Sequence, residues 1–246
     1  MVLSVQQLGF KYNQKQALAG INFELKQGDF CALLGPNGAG KSTLFALLTR
    51  LFPIQQGGIK LNGQDLSSSP ASVLSHMGMV FQELTLDLDL SVTENLRYHG
   101  SLHGMGWRQC NQRINEELRR LNLEDRRHDK VRKLNGGHRR RVEICRALLH
   151  RPSLLLLDEA SAGLDVTTRA KLNIYLRSLC KNDGITVLMS THLLQEVNHK
   201  DHTILLHKGK IHAQGTHQQV CEQLHIKELS CWFNQALKEE PEHEWH

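Results

Sequence analysis

Eight consecutive residues, Gly35, Pro36, Asn37, Gly38, Ala39, Gly40, Lys41 and Ser42, match the pattern G-x-x-x-x-G-K-[ST] at every fixed position. Glycines at these places let successive backbone N–H groups curl around a phosphate, and a helix beginning here adds the partial positive charge of its N-terminus. In that arrangement Lys41 bridges the β- and γ-phosphates and the Ser42 hydroxyl ligates Mg²⁺. Thr43, next in the same turn, is grouped with them as a nucleotide-binding residue. A glycine-rich turn before an ordinary helix is the plain alternative, and the full match between a strand-like and a helix-like segment argues against it. The pattern predicts binding of a nucleoside triphosphate such as ATP, together with Mg²⁺.

Such a cradle needs an acid at the end of a neighbouring buried strand. Four leucines, 154–157, lead into Asp158 and Glu159. Asp158 is placed to hold the Mg²⁺ shell and Glu159 to polarise an attacking water. An apolar run ending in two acids is a weak signal alone and a strong one downstream of the cradle.

The elements that must position these residues can be read from the hydrophobic pattern. Residues 3–8 and 21–25 alternate as strands do, and the uninterrupted apolar run 30–34 fits a strand buried on both faces. A helix follows the cradle, and residues 58–63 suggest a short hairpin arm. Ser91 and Glu94 fit a capping box opening a helical stretch that continues through Arg120. From Val142 helices again alternate with buried strands at 154–157, 185–190 and 203–207, which implies an α/β fold with a largely parallel sheet. The tail after Lys238 is acidic and is expected to fray.

Composition narrows the class. The chain has 246 residues, long enough for one sizeable core or two small ones, and its 40% hydrophobic and 22% charged content is that of a globular protein. No apolar run approaches the roughly 18 residues needed to span a bilayer, and the first residues do not resemble a signal peptide. The six cysteines show no C-x-x-C pair and read as reduced, mostly buried thiols. Six histidines between His192 and His217 invite a metal reading, but their spacing matches no known ligand pattern. Charge is uneven: between Arg119 and Arg146 there are eleven Lys or Arg against four Asp or Glu, within an overall net charge of +5. A stretch of this kind can meet nucleic acid, lipid headgroups or nucleotide phosphates, or form a solvated helix face. Nucleic acid is disfavoured, because no base-stacking aromatics are interleaved with the arginines.

From about residue 3 to 216 the chain resembles the nucleotide-binding subunit of an ABC transporter, on motif order as well as the phosphate loop. Tyr12 stands where the family has an adenine-stacking aromatic. Gln82 resembles the Q-loop glutamine, which senses the γ-phosphate and Mg²⁺ and faces the membrane partner. Leu134, Asn135, Gly136, Gly137 and His138 take the place of the signature Leu-Ser-Gly-Gly-Gln. Ala162 to Asp165 are similar to the D-loop, and His192 to the switch histidine. The resemblance implies a P-loop NTPase with a RecA-like parallel-sheet core, an N-terminal antiparallel β subdomain and an inserted helical lobe at about 88–145. The cassette is expected over 1–220, with a C-terminal helix and frayed tail over 221–246.

It further implies that ATP is sandwiched between the cradle of one copy and the signature of another. Glu159 would serve as catalytic carboxylate, His192 and Gln82 as γ-phosphate sensors, and Ser42, Gln82 and Asp158 as Mg²⁺ ligands. Asn135 and His138 depart from the signature; the Asn135 amide can still donate a hydrogen bond, so altered affinity is expected rather than loss of activity. The basic stretch would then serve the other copy's ATP, its outer arginines solvated. The partners implied are a second copy of the chain and an integral membrane permease meeting residues 83–99, on the cytoplasmic face of the membrane. The arginine run after the signature and the D-loop are similar to the drug- and polysaccharide-exporter branch, and within it to the subunits associated with PQQ-dependent alcohol oxidation. With this sequence stopping soon after Thr216, the extra C-terminal regulatory domain of many importers is not expected. A soluble ABC ATPase acting on ribosomes or DNA is the alternative, and neither paired cassettes nor sustained heptads support it.

Overall fold

A strand with no solvent-facing position must lie between two layers, and three of the strands are buried at every residue: β3 (Phe30–Leu34), β7 (Leu154–Asp158) and β8 (Thr186–Thr191). The computed structural model describes residues 1–238; the tail beyond Lys238, expected to fray, lies outside them. With β6 (Met77–Val80), β9 (His202–His207) and β10 (Lys210–Thr216), these strands form a six-stranded sheet ordered β10-β9-β3-β8-β7-β6. All pairings are parallel except that of β10 with β9. The short β6 and the antiparallel edge strand β10 were not evident in the hydrophobic pattern.

The leucines of β7 show how the sheet divides its two faces. Leu155 and Leu157 join Val187 and Met189 in a cluster with the helical lobe, whereas Leu154 and Leu156 join Leu33 and Leu188 in a cluster on the other face. This is the two-residue period of a strand, with an apolar layer on each side. The second layer is an antiparallel sheet ordered β2-β1-β4-β5, made of β1 (Leu3–Tyr12), β2 (Lys15–Leu25), β4 (Gln56–Leu61) and β5 (Gln64–Asp65). Between it and the parallel sheet lies α1 (Lys41–Leu48), which carries Leu44, Phe45, Leu47 and Leu48 into the same cluster. The short helix α2 (Pro70–Leu74) precedes β6.

The helical lobe comprises α3 (Val92–Leu102), α4 (Trp107–Arg120) and the following α5 (Gly136–Leu148). The capping box at Ser91 is formed: its hydroxyl accepts from Glu94 N at 3.3 Å, and the Glu94 carboxylate accepts from Ser91 N at 2.7 Å. On the same face as the lobe, α6 (Val166–Ser178) packs Leu172 and Leu176 into the lobe's cluster, and α7 (His217–Leu224) and α8 (Leu229–Lys238) cover Leu34 and Leu205. Residues 220 and 221, on either side of the expected domain division, both lie within α7 and share that third cluster.

The basic stretch differs from its expected solvated face. Val142, Ile144, Ala147 and Leu148 form the buried stripe of α5, but Arg140 is buried with them. Its guanidinium donates to the carbonyls of Phe81 (2.6 Å) and Gln82 (2.9 Å) and pairs with Glu143 at 2.9 Å. Glu143 in turn accepts from Thr85 N at 3.0 Å, and Arg146 donates to Thr85 O at 2.9 Å. Arg141 reaches Leu121 O (2.9 Å) and Arg139 reaches Arg132 O (2.8 Å). Much of this positive charge is therefore directed at backbone carbonyls within the chain, and α5 holds the loop after β6 by both its ends. Removing one member of such a buried pair leaves the other charge uncompensated. Arg140→Ala is expected to lower the unfolding free energy by about 3–5 kcal/mol in urea titration; a loss below about 1 kcal/mol would show that the pair contributes little.

Candidate nucleotide-binding and hydrolysis site

Register in the parallel sheet brings the functional loops to one edge. Leu34 of β3 stands beside Thr191 of β8, Ser190 beside Asp158 of β7, and Leu157 beside Val80 of β6. The residues after each strand are therefore Gly35, His192, Glu159 and the Gln82 loop, all at the carboxyl ends of adjacent parallel strands. In open α/β sheets this is the edge at which ligands bind.

The loop from Gly35 to Gly40 turns directly into α1. Gly35 is required by space: a Cβ there would lie 2.2 Å from Leu206 O. Gly40 is required by conformation, with φ of 109° and a Cβ position 2.8 Å from Leu18 Cδ2. Pro36 and Ala39 are buried, Asn37 and Gly38 exposed. Lys41 is buried, and its Nζ donates to the carbonyls of Gly35 (2.7 Å) and Pro36 (2.9 Å), so the ammonium is folded across the loop. Ser42 is exposed in the first turn, where its hydroxyl is accessible to a ligand. Thr43 is buried, and its hydroxyl lies 3.2 Å from that of Tyr12. Tyr12 is 44% exposed and is braced edge-on by Phe10 and Phe52 at ring distances of 5.0 and 5.6 Å. One aromatic ring is thus fixed beside the loop.

Asp158 and Glu159 are held by Ser190, a residue that the sequence pattern did not single out. The Ser190 hydroxyl donates to Asp158 Oδ1, and both its Oγ (3.1 Å) and its carbonyl (3.2 Å) accept from Glu159 N. Burial pushes the Asp158 pKa up, against the Ser190 hydrogen bond and the nearby Lys41 charge. The buried Asp158 carboxylate, within reach of the Lys41 charge, and the exposed hydroxyl of Ser42 next to Lys41 in sequence are oxygen donors of the kind a hard cation takes, and a cation there would offset that desolvation. Glu159 adopts φ of 45°, left-handed for a non-glycine residue, and its Oε1 lies 3.4 Å from His192 Nδ1. His192 is exposed, whereas Thr191 beside it is buried and hydrogen-bonds Glu196.

Gln82 is exposed, its backbone carbonyl fixed by Arg140. The signature residues sit elsewhere. Asn135 is the N-cap of α5 and its Oδ1 accepts from His138 N at 2.8 Å, which leaves the amide NH₂ as the outward donor. Asn135 and Gly136 are exposed, and Gly137 lies against Leu164 and Thr168. Burial, then the Arg141 charge, lowers the His138 pKa. Asp165 caps α6, accepting from Thr168 N at 2.9 Å, and that bonding holds its pKa down. The described side-chain hydrogen bonds of Asn135 and Asp165 stay within the first turns of α5 and α6.

Comparison with known proteins agrees with this geometry. The family model described as ABC transporter matches residues 18–162. The linearmycin resistance ATP-binding protein LnrL of Bacillus subtilis is 33% identical over 91% of this chain and 72% of its own length. The daunorubicin resistance ATP-binding protein DrrA3 of Streptomyces coeruleorubidus is 36% identical over 84% of this chain and 65% of its own length. The chain thus spans about two thirds to three quarters of these relatives. Among solved structures, the dimeric post-hydrolysis state of the ATP-binding cassette MJ0796, bound to ADP and Pi, superposes with a TM-score of 0.78 at 26% identity, covering 87% of this chain and 98% of that one. By the family model and by these relatives, the chain that carries this phosphate loop belongs to the ABC transporter family.

Proposed function

We propose that this protein is the ATP-hydrolysing subunit of an exporter, working as an ATP-sandwich homodimer on a separate integral membrane permease. The observation that carries the hydrolytic part is the meeting of Glu159 and His192 at 3.4 Å beside the Lys41 loop. Gly35 to Thr43 would cradle the phosphates, Lys41 would exchange its loop carbonyls for β- and γ-phosphate oxygens, and Tyr12 would offer its exposed face to adenine. Ser42, Asp158 and Gln82 would hold Mg²⁺, which neutralises charge on the phosphate oxygens. Glu159 orients and polarises the attacking water as general base, and His192 positions it and the γ-phosphate. The backbone strain at Glu159 is consistent with a side chain held for that task.

The dimer is supported by the exposure of Asn135 and Gly136 and by the dimeric form of the related cassette. A two-fold arrangement of this kind gives two composite sites, each completed by the signature of the other copy. Closure would exclude water and complete the catalytic set. Export is favoured by the resistance proteins among the relatives. No helix among the described residues is long and apolar enough to cross a membrane. A permease contact is supported by exposed apolar residues on and after the Q-loop: Leu84, Leu88, Tyr98, Leu102 and Trp107.

Three outcomes test these assignments. Glu159→Gln should bind ATP and accumulate as a stable dimer in size-exclusion chromatography while hydrolysis falls by roughly 10²–10⁴-fold; rapid turnover by this variant would reject the role of Glu159. Asn135→Ser keeps both a cap and a donor and should retain turnover, whereas Asn135→Ala should lose about 1 kcal/mol of stability and most ATP-dependent dimerisation. Equal ATPase rates for the two variants would remove the signature amide from the site. Glu83→Lys with Arg97→Glu should weaken co-purification with a polytopic membrane protein while leaving ATP binding intact. Unchanged recovery, or recovery with ribosomes or DNA instead, would overturn the permease contact.

A further inference from the structure

Three histidines outside the nucleotide site come together where the helical lobe meets the parallel sheet. His99 and His103 stand four residues apart at the end of α3, a spacing that places both on one helix face, and His150 follows α5. Each offers a ring nitrogen within 4.8 Å of the others. The His103 and His150 rings stack at 3.8 Å and His99 lies 4.7 Å from His103. All three are half-buried, and His103 and His150 line a cavity of about 470 Å³ together with His76, Gln112 and Arg113.

Hydrogen bonding fixes the tautomer of His150. Its Nε2 lies 3.0 Å from Met77 O, which can only accept, so Nε2 carries the proton and Nδ1 presents a lone pair. That Nδ1 is buried and has no hydrogen-bond partner among the described residues. An imidazole oriented by N–H donation to a backbone carbonyl, with its other nitrogen unpartnered, is the usual arrangement of a metal-ligating histidine. Burial also keeps the pKa of His99 at about 3 and that of His150 at about 4, so both are neutral at pH 7 and no proton need leave when a cation binds.

We propose that His99, His103 and His150 form a binding site for a transition-metal dication of the zinc class. Three imidazoles suit Zn²⁺, Ni²⁺ or Cu²⁺ rather than Mg²⁺ or Ca²⁺, which prefer oxygen donors. With metal–nitrogen bonds of about 2.0–2.1 Å, tetrahedral ligation brings the nitrogens to about 3.4 Å from one another. His103, half-exposed at the C-cap of α3, can swing out of its stack to close that gap, and solvent from the cavity supplies the fourth ligand. Arg146, whose charge acts on His99, opposes the cation and limits affinity, while His76 lies close enough to act on His150. The ion would join the end of α3 to the start of the sheet. Arg146 of α5 in turn donates to Thr85 O, three residues after Gln82.

The test uses the full chain, stripped with EDTA and dialysed against Zn²⁺ in excess Mg²⁺, with Co²⁺ as a spectroscopic probe. The wild type should bind one equivalent more Zn²⁺ than His99→Ala or His103→Ala. The visible band of nitrogen-ligated Co²⁺ should weaken, with affinity falling at least about tenfold. A control lacking the other close pair, His199→Ala with His217→Ala, should keep both signals; those rings are 4.8 Å apart. Circular dichroism and melting temperature establish that each variant is folded, and His150→Gln provides a third, independent ligand deletion. Equal Zn²⁺ stoichiometry in the wild type and the folded His99 and His103 variants would overturn the site, as would loss of the equivalent in the His199 and His217 control.

Discussion

The nucleotide edge depends on one lateral pairing, that of Asp158 on β7 with Ser190 on β8. A carboxylate at the end of a fully buried strand is costly to keep unless something nearby bonds to it, and the Ser190 hydroxyl does so. The same serine accepts Glu159 N through both its side chain and its carbonyl, which stabilises a backbone conformation that a glutamate rarely adopts. Slipping the β7–β8 register by one residue would move Asp158 off Ser190 and exchange the two leucine faces of β7. The apolar clusters on either side of the sheet therefore enforce the position of the acids: core packing and the placement of Asp158 and Glu159 are one constraint.

A second constraint runs from α5 to the loop after β6. Arg140 and Glu143 are both buried, and each reaches a backbone group of residues 81–85. Buried ion pairs are not in themselves a source of stability, because desolvation offsets the attraction. Their effect here is geometric. The helix that begins at the signature is bonded to the loop that carries Gln82, so displacement of one must either carry the other or break charge-assisted hydrogen bonds. A displacement of α5 would in this way be carried to the loop of Gln82, next to the exposed apolar residues Leu84 and Leu88.

What could be read in the sequence follows from how local each signal is. The phosphate loop is contiguous, and the apolar runs of β3 and β7 are buried at every position as their composition requires. The capping box at Ser91 is equally local, needing only residues three apart. β6 is four residues long and contains a glycine, too little for a period to show; it is a strand because Gly78 packs against Ala147 O and because β7 lies beside it. The arginines of α5 show the opposite difficulty. Their one-dimensional pattern suits a solvated face or an anion site, and only the tertiary fold supplies the carbonyls of Phe81, Gln82, Leu121 and Val131 that receive them. Ser190 is missed for the same reason, being 32 residues from Asp158.

The signature departure illustrates why residue identity and residue role separate. Serine at an N-cap accepts from the third backbone N–H of its helix and keeps a hydroxyl proton to donate; asparagine divides those tasks between two atoms. Asn135 spends its carbonyl oxygen on His138 N and keeps the amide NH₂ outward. The substitution thus preserves the start of α5, with its exposed glycine N–H groups, and moves the donor outward on a longer arm. Since the cap and the donor are now different atoms of one planar amide, the cap bond also restricts where the donor points. The longer reach is therefore offset by a fixed direction, and a second copy must approach this loop along that direction for the hydrogen bond to form.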